Sequence, residues 1–197
     1  RWENKMRKRV KRQIAVTWIV TFLLLCSITV QAAYQTLGVN LVRQAKSLWC
    51  WAACIEMSAS YLGYTEHDQW DIVNHVKGTI FDKYPNKDGG SSDYKAGMEY
   101  ATDNSYTLTR SSGTISISSL ADYIENHLPV HISLGTYDSS GKRQSGHGEV
   151  IYAVDEINQQ VKARNPGQDA EDTFAYSVLT DTTQTTYWDY TGIISQK

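Results

Sequence analysis

Cysteine and proline are scarce in this 197-residue chain, with three of each. Three cysteines are too few for a disulfide-built scaffold or for a multi-cysteine zinc site, so neither metal nor other cofactor is expected. No Pro- or Ser-rich linker divides the chain, and no internal repeat or low-complexity run is visible. Basic residues are also missing from most of it. Seven of the 19 Lys+Arg (Arg1, Lys5, Arg7, Lys8, Arg9, Lys11 and Arg12) lie in residues 1–32, beside a single acid, Glu3. The remaining 165 residues keep 12 basic and 20 of the 21 acidic side chains, a net of −8. A nucleic-acid binder needs a basic footprint, and this body has none. At 41% hydrophobic and 20% charged, the chain is ordinary globular material, long enough for one core with two lobes around a cleft.

The basic segment is followed by Ile14 to Val30, apolar apart from Thr and Ser, and then by Val30-Gln31-Ala32 with Ala33 after it. A charged region, an apolar run and a small-residue site in that order describe a secretory signal peptide over residues 1–32. An uncleaved anchor is the alternative, since about 17 apolar residues is the short edge of spanning length. Either way residues 33–197 are expected outside the cytoplasm, touching a membrane only through the leader.

The first half of the body reads helical. Apolar Leu48, Trp51, Ala52, Ile55, Ala59 and Leu62 recur at a spacing of three to four, with Ser47 as the expected cap and Gly63 as the stop. Further helices are expected over Glu66–Val76 with Thr65 as cap, from Ser92 to about Ala101, and from Ser116 through His127. After Pro129 the period becomes two. Val130, Ile132 and Leu134 alternate with polar or small residues, Asp138 to Ser145 is a polar turn, and strands are expected over Gly148–Asp155, around Val161–Asn165 and over Thr185–Ile194. Helices followed by an antiparallel meander make an α+β protein, the two lobes meeting along an edge.

One segment carries the chemistry: Gln44-Ala-Lys-Ser-Leu-Trp-Cys50-Trp-Ala-Ala-Cys54. Cys50 falls in the first turn of the first helix of the body, where the helix dipole stabilises a thiolate nucleophile. Gln44, just upstream, can place a side-chain N–H beside the backbone N–H of Cys50 as two donors for an oxyanion. A cysteine nucleophile needs a base, and the base an orienting group. His147, between Gly146 and Gly148 at the expected start of a strand, is free enough to serve. Asn165, 18 residues on, can hold its Nδ1–H. The competing readings are plainer. Cys54 at i+4 points inward and is poorly placed to bridge Cys50. His67, His75 and His127 read as solvated helix residues, and His131 as a weaker rival base. Glu149 shares the face of His147, though a solvated carboxylate reads at least as well. Tyr187, Trp188 and Tyr190 read as core or cleft lining.

Gln44-x₅-Cys50-Trp51, a Gly-His-Gly strand and then Asn165 resemble the papain-like cysteine peptidase superfamily. The wording W-C-W-A-A-C resembles its short bacterial branch, which includes effector proteases of plant pathogens. The resemblance spans Gln44 to Pro166 and implies a papain-like fold with the active site between a helical and a sheet lobe. It also implies Cys50 as nucleophile, His147 as base, Asn165 as third member and Gln44 as oxyanion donor. Two departures stand out: Pro166-Gly167 follows the asparagine where papain has Ser-Trp, and only Ala33 to Arg43 separate the expected leader from the motif, so control by a large inhibitory pro-segment is not expected. The function expected is a secreted, monomeric protease acting on peptide or protein. A peptidoglycan amidase or peptidase with Cys-His chemistry, or an inactive exported binding module, are the alternatives.

Overall fold

The computed structural model describes residues 34–197 and, before them, Trp2 alone. The expected leader, Trp2 apart, lies outside the described residues. The chain divides into two units, Arg1–Ala32 and Ala33–Lys197, and the second carries every element below.

In chain order these are β1 (Tyr34–Thr36), α1 (Cys50–Tyr61), α2 (Gln69–Lys77), α3 (Ser91–Ala101), β2 (Tyr106–Ser112), α4 (Ile117–Glu125), β3 (Val130–Tyr137), β4 (Arg143–Asp155), β5 (Gln160–Asn165), β6 (Ala170–Ala175), α5 (Tyr176–Leu179) and β7 (Thr186–Gln196). The architecture is α+β, as the change of period implies. The strands form one antiparallel sheet in the order β2-β7-β3-β4-β5-β6, with β1 running along β4 beyond the end of β3. Strands β3 to β6 are a meander. The last strand returns to the other side of β3 and is flanked by β2. Three strands, β1, β2 and β6, were not expected from the sequence. Because β2 precedes α4, helices and strands are not fully segregated along the chain. The polar turn is also shorter than expected. It closes by Lys142, where the Asp138 carboxylate accepts the N–H groups of Ser140 and Lys142. Residues 143–146 are exposed but extended, so His147 sits well inside β4 and not at its start.

Helix α1 organises the rest. Eight of its 12 residues, Trp51–Ile55 and Met57–Ala59, are buried, so it is enclosed on all sides rather than amphipathic. Cys54 and Met57 join the core shared by the sheet and α4 with Leu120, Val150 and Trp188. Trp51, Ile55 and Ala59 belong to a second core with Ile72, Tyr94, Met98 and Leu108. Its N-cap is Trp49, not Ser47, and no side chain caps it. At the other end Gly63, at φ 95°, closes a Schellman turn in which Tyr64 N–H reaches Ala59 and Gly63 N–H reaches Ser60. Helix α2 is capped by Asp68, whose carboxylate accepts from Trp70 and Asp71, so it starts later than Thr65 suggested. Helix α4 has the expected Ser116 cap.

The tryptophans on either side of Cys50 are anchors. The Trp49 indole donates to Pro85 O at 2.9 Å and that of Trp51 to Lys87 O at 3.1 Å. Gly89 then packs flat on Trp51, since a Cβ there would lie 2.4 Å from its Cγ. The Pro/Gly segment before α3 is thereby fixed beside the start of α1.

Candidate active site

Three chain segments meet at Cys50: the N-terminus of α1, the interior of β4 and the end of β5. Cys50 is the first residue of α1, so its backbone N–H has no partner inside the helix. The His147 ring donates from Nε2 to Asn165 Oδ1 at 2.7 Å, which leaves Nδ1 for the thiol. The sequence reading had put the asparagine on Nδ1. The structure reverses the two nitrogens, because Asn165 lies on the neighbouring strand behind the ring while Cys50 faces it from the helix.

The electrostatics favour a charged pair. Burial pushes the Cys50 thiol up, but hydrogen bonds from His147 and Gly148, the imidazolium charge and the Trp51 N–H outweigh it, and the net pKa is below the usual thiol value. His147 shows the converse: burial disfavours its charge, yet the hydrogen bonds to Cys50 and Asn165, with the charges of Cys50 and Glu149, raise it to about 9. Gly148 has to be small. A Cβ there would stand 2.6 Å from the hydroxyl of buried Tyr94 and 3.7 Å from Cys50 Sγ. Cys54, one turn deeper, is fully buried and unbridged. Burial and the negative charges of Cys50 and Glu149 push its thiol well up, so it is inert.

Asn165 is itself held in place. Its Oδ1 also accepts the N–H of Gly167 at 3.0 Å and of Gln168 at 3.3 Å, and its Nδ2 donates to Asp172 on β6 at 2.6 Å. Gly167 lies against the ring, its absent Cβ 2.8 Å from His147 Cε1. The Pro166-Gly167 pair therefore covers the Asn–His contact with backbone. Asp172 was missed in the sequence because β6 was not recognised. The alternation of Ala170, Asp172 and Phe174 with Glu171, Thr173 and Ala175 was the available signal.

Gln44 is brought to the same place, with its backbone N–H on Pro166 O at 3.0 Å. Its side-chain NH₂, however, is taken up by Lys46 O and Ser47 O, both at 2.9 Å, while its Oε1 is buried without a partner. Two carbonyls facing the NH₂ fix the amide in this sense, because reversal would oppose three oxygens. Gln44 thus braces the turn that leads into Cys50.

His131 is not a base for this cysteine. It is buried in β3, bonded through Nε2 to Ser58 Oγ at 2.8 Å. Burial and then the nearby Arg110 charge lower its pKa to about 3, so it stays neutral and ties α1 to the sheet. His67 and His75 stack on Tyr100, and His127 is exposed. Trp188 is core and Tyr190 lines the cleft.

Glu149 corrects the solvated reading, being 1% exposed. Burial, then the charge of Asp172, raise its pKa to about 8 against the opposing pull of His147, and its Oε2 has no hydrogen-bond partner. The carboxyl therefore keeps its proton to higher pH in the folded protein than in the unfolded chain. Stability from this group falls as pH rises from about 4.5 to about 8. Glu149→Gln, which cannot ionise, should gain on wild type by on the order of a few kcal/mol across that window. Urea unfolding at pH 5 and pH 8 checks this, and a parallel pH dependence of both proteins would reject it.

The model of the Peptidase_C39 like family matches residues 36–195, and the chain belongs to that family. It is a cysteine peptidase. None of the curated proteins matches it. Among solved structures, the double glycine motif protease of an AMS/PCAT transporter, in complex with its leader peptide, is similar at a TM-score of 0.52 and 9% identity, over 83% of this chain and 95% of that one. Xylellain, a cysteine protease from Xylella fastidiosa, aligns at a TM-score of 0.48 and 12% identity, over 83% of this chain and 86% of that one.

Proposed function

We propose that this member of the Peptidase_C39 like family is an exported protease in which Cys50, His147 and Asn165 cleave peptide bonds by acyl transfer. The observation that carries the reading is the His147 ring held between Asn165 Oδ1 and the Cys50 thiol. The Cys50 thiolate attacks the scissile carbonyl carbon, and its pair of π-electrons moves onto oxygen. The resulting oxyanion meets the Cys50 backbone N–H and one N–H of Gln44, released from a carbonyl of the turn. The imidazolium gives its proton to the amide nitrogen, the C–N bond breaks, and the amine leaves with a thioester on Cys50. His147 then takes a proton from water, the hydroxide adds to the thioester, and the acid product departs as the thiolate reforms.

The substrate is a peptide or protein, as the leader-peptide complex illustrates for the transporter protease. The basic and apolar segment before Ala33 and the W-C-W-A-A-C wording support a protein that works outside the cytoplasm, of the kind found among short bacterial papain-like proteases. The purified protein should hydrolyse members of a peptide library, and Cys50→Ala should hydrolyse none. A wild-type protein whose Cys50 is alkylated readily but which cuts no peptide would sink this reading.

A further inference from the structure

The cleft beside Cys50 is a cavity of about 600 Å³ that runs from the start of α3 to the sheet, of the size that holds substrate groups. Two arginines line it, and they differ in one respect. Arg143 is neutralised: its Nε donates to Asp189 Oδ2 at 2.5 Å and an Nη to Ser133 Oγ at 3.0 Å. Arg110 has no such partner. Among the described residues no carboxylate lies within ion-pair distance of it and no acceptor takes its N–H groups, although Asp88 stands at the exposed rim of the same cavity. Its guanidinium is instead clamped between two rings, 4.5 Å from the centroid of Tyr94 and 4.8 Å from that of Tyr190. Gly192, opposite it on β7, leaves room for the stem, since a Cβ there would press on Arg110 Cγ at 3.4 Å.

From this geometry we infer that the cleft selects substrates by an acidic side chain beside the scissile bond, which Arg110 receives; the inference deepens the protease reading and rests on it. Ring faces fix the plane of a guanidinium but satisfy none of its five donors. A cation half withdrawn from water with free, oriented donors is matched by a carboxylate, which can accept two parallel N–H bonds. A neutral amide accepts at one atom only and brings no charge. The Cys50 thiolate lines the same cavity but is paired with His147, and the groups on which the Arg110 charge acts are the Tyr94 hydroxyl, Cys54 and His131. All three are held neutral by burial, so none supplies the missing anion.

The test uses chloroacetyl derivatives of glutamate, glutamine and lysine amides as labels for Cys50 in the full chain. Each rate is divided by that of iodoacetamide, which is uncharged and reads the thiolate alone. The glutamate reagent should label wild type about tenfold or more faster than the glutamine reagent, with lysine slowest. In Arg110→Gln the glutamate advantage should shrink to about twofold, and Arg110→Lys should keep part of it. A purely structural clamp would give no glutamate advantage in wild type, or one that survives in Arg110→Gln, and either result overturns the inference. Should Arg110→Gln fail to fold, the wild-type advantage should itself shrink between about 0.02 and 0.5 M salt, and a salt-independent advantage is equally fatal. Matched peptides with Glu or Gln should rank the same way in kcat/KM. Glutamate-selective labelling without hydrolysis of any peptide would leave the cleft assignment standing and reject the protease instead.

Discussion

His147→Ala should lose activity almost as completely as Cys50→Ala, by about 10⁴-fold or more in kcat/KM. The variant removes two functions at once. The ring stabilises the thiolate by hydrogen bond and charge, and without it only the Gly148 and Trp51 N–H groups oppose the burial that pushes the thiol up. It also holds the proton that the leaving amine needs. Alkylation by iodoacetamide near pH 6 separates the two: wild type should label rapidly at Cys50, whereas His147→Ala should label as slowly as Cys54, whose thiol stays protonated. The pH profile follows from the same pair. The imidazolium is present below about 9, so kcat/KM should fall as pH rises through that value and, on the acid side, as the thiolate is protonated. Normal activity in His147→Ala would leave the site without a base, since His131 is bonded to Ser58 and neutral.

The part of this site that was legible in the sequence is the part fixed by local rules. A helix with Cys50 in its first turn, a strand beginning beside His147, and an asparagine on the following strand bring Cys50 and His147 together through elements that each declare themselves by period or turn residues. What the sequence concealed depends on pairing across the sheet. Glu149 alternates with apolar neighbours as an exposed strand carboxylate would, and only tertiary packing buries it, on a sheet face near His147, Asp172 and Cys54. Asp172 touches Asn165 because β6 turns back along β5, a pairing that the alternation within β6 does not by itself specify. Arg110 sits on a strand absent from the sequence reading, and it enters the cleft only because β2 pairs with β7, the last strand of the chain. The Trp49 and Trp51 pair shows the reverse case. Both were visible at once as part of a motif, but their use, to hold residues 85–87 through indole N–H bonds, is a tertiary fact.

Gln44→Ala is the second change expected to act strongly, and it separates two roles for one side chain. An oxyanion donor stabilises charge that exists only in the transition state, and its loss lowers kcat by about 10²–10³. It should leave the ground-state thiol nearly untouched. In the structure, though, both N–H groups of Gln44 hold the carbonyls of Lys46 and Ser47 in the turn that delivers Cys50 to the helix start. The buried, unpartnered Oε1 shows that nothing holds the amide from its other side. One N–H can therefore move to a developing oxyanion, which is a stronger acceptor than a neutral carbonyl, while the other keeps the turn. The expected result is a kcat lower by about 10²–10³, with the iodoacetamide rate at Cys50 changed by less than about tenfold. An equal fall in both rates would mean that Gln44 only braces the turn and that the oxyanion relies on the Cys50 backbone N–H. Gln44→Glu sharpens the comparison. A carboxylate cannot donate to an oxyanion or to the two carbonyls, so both rates should fall below those of the alanine variant.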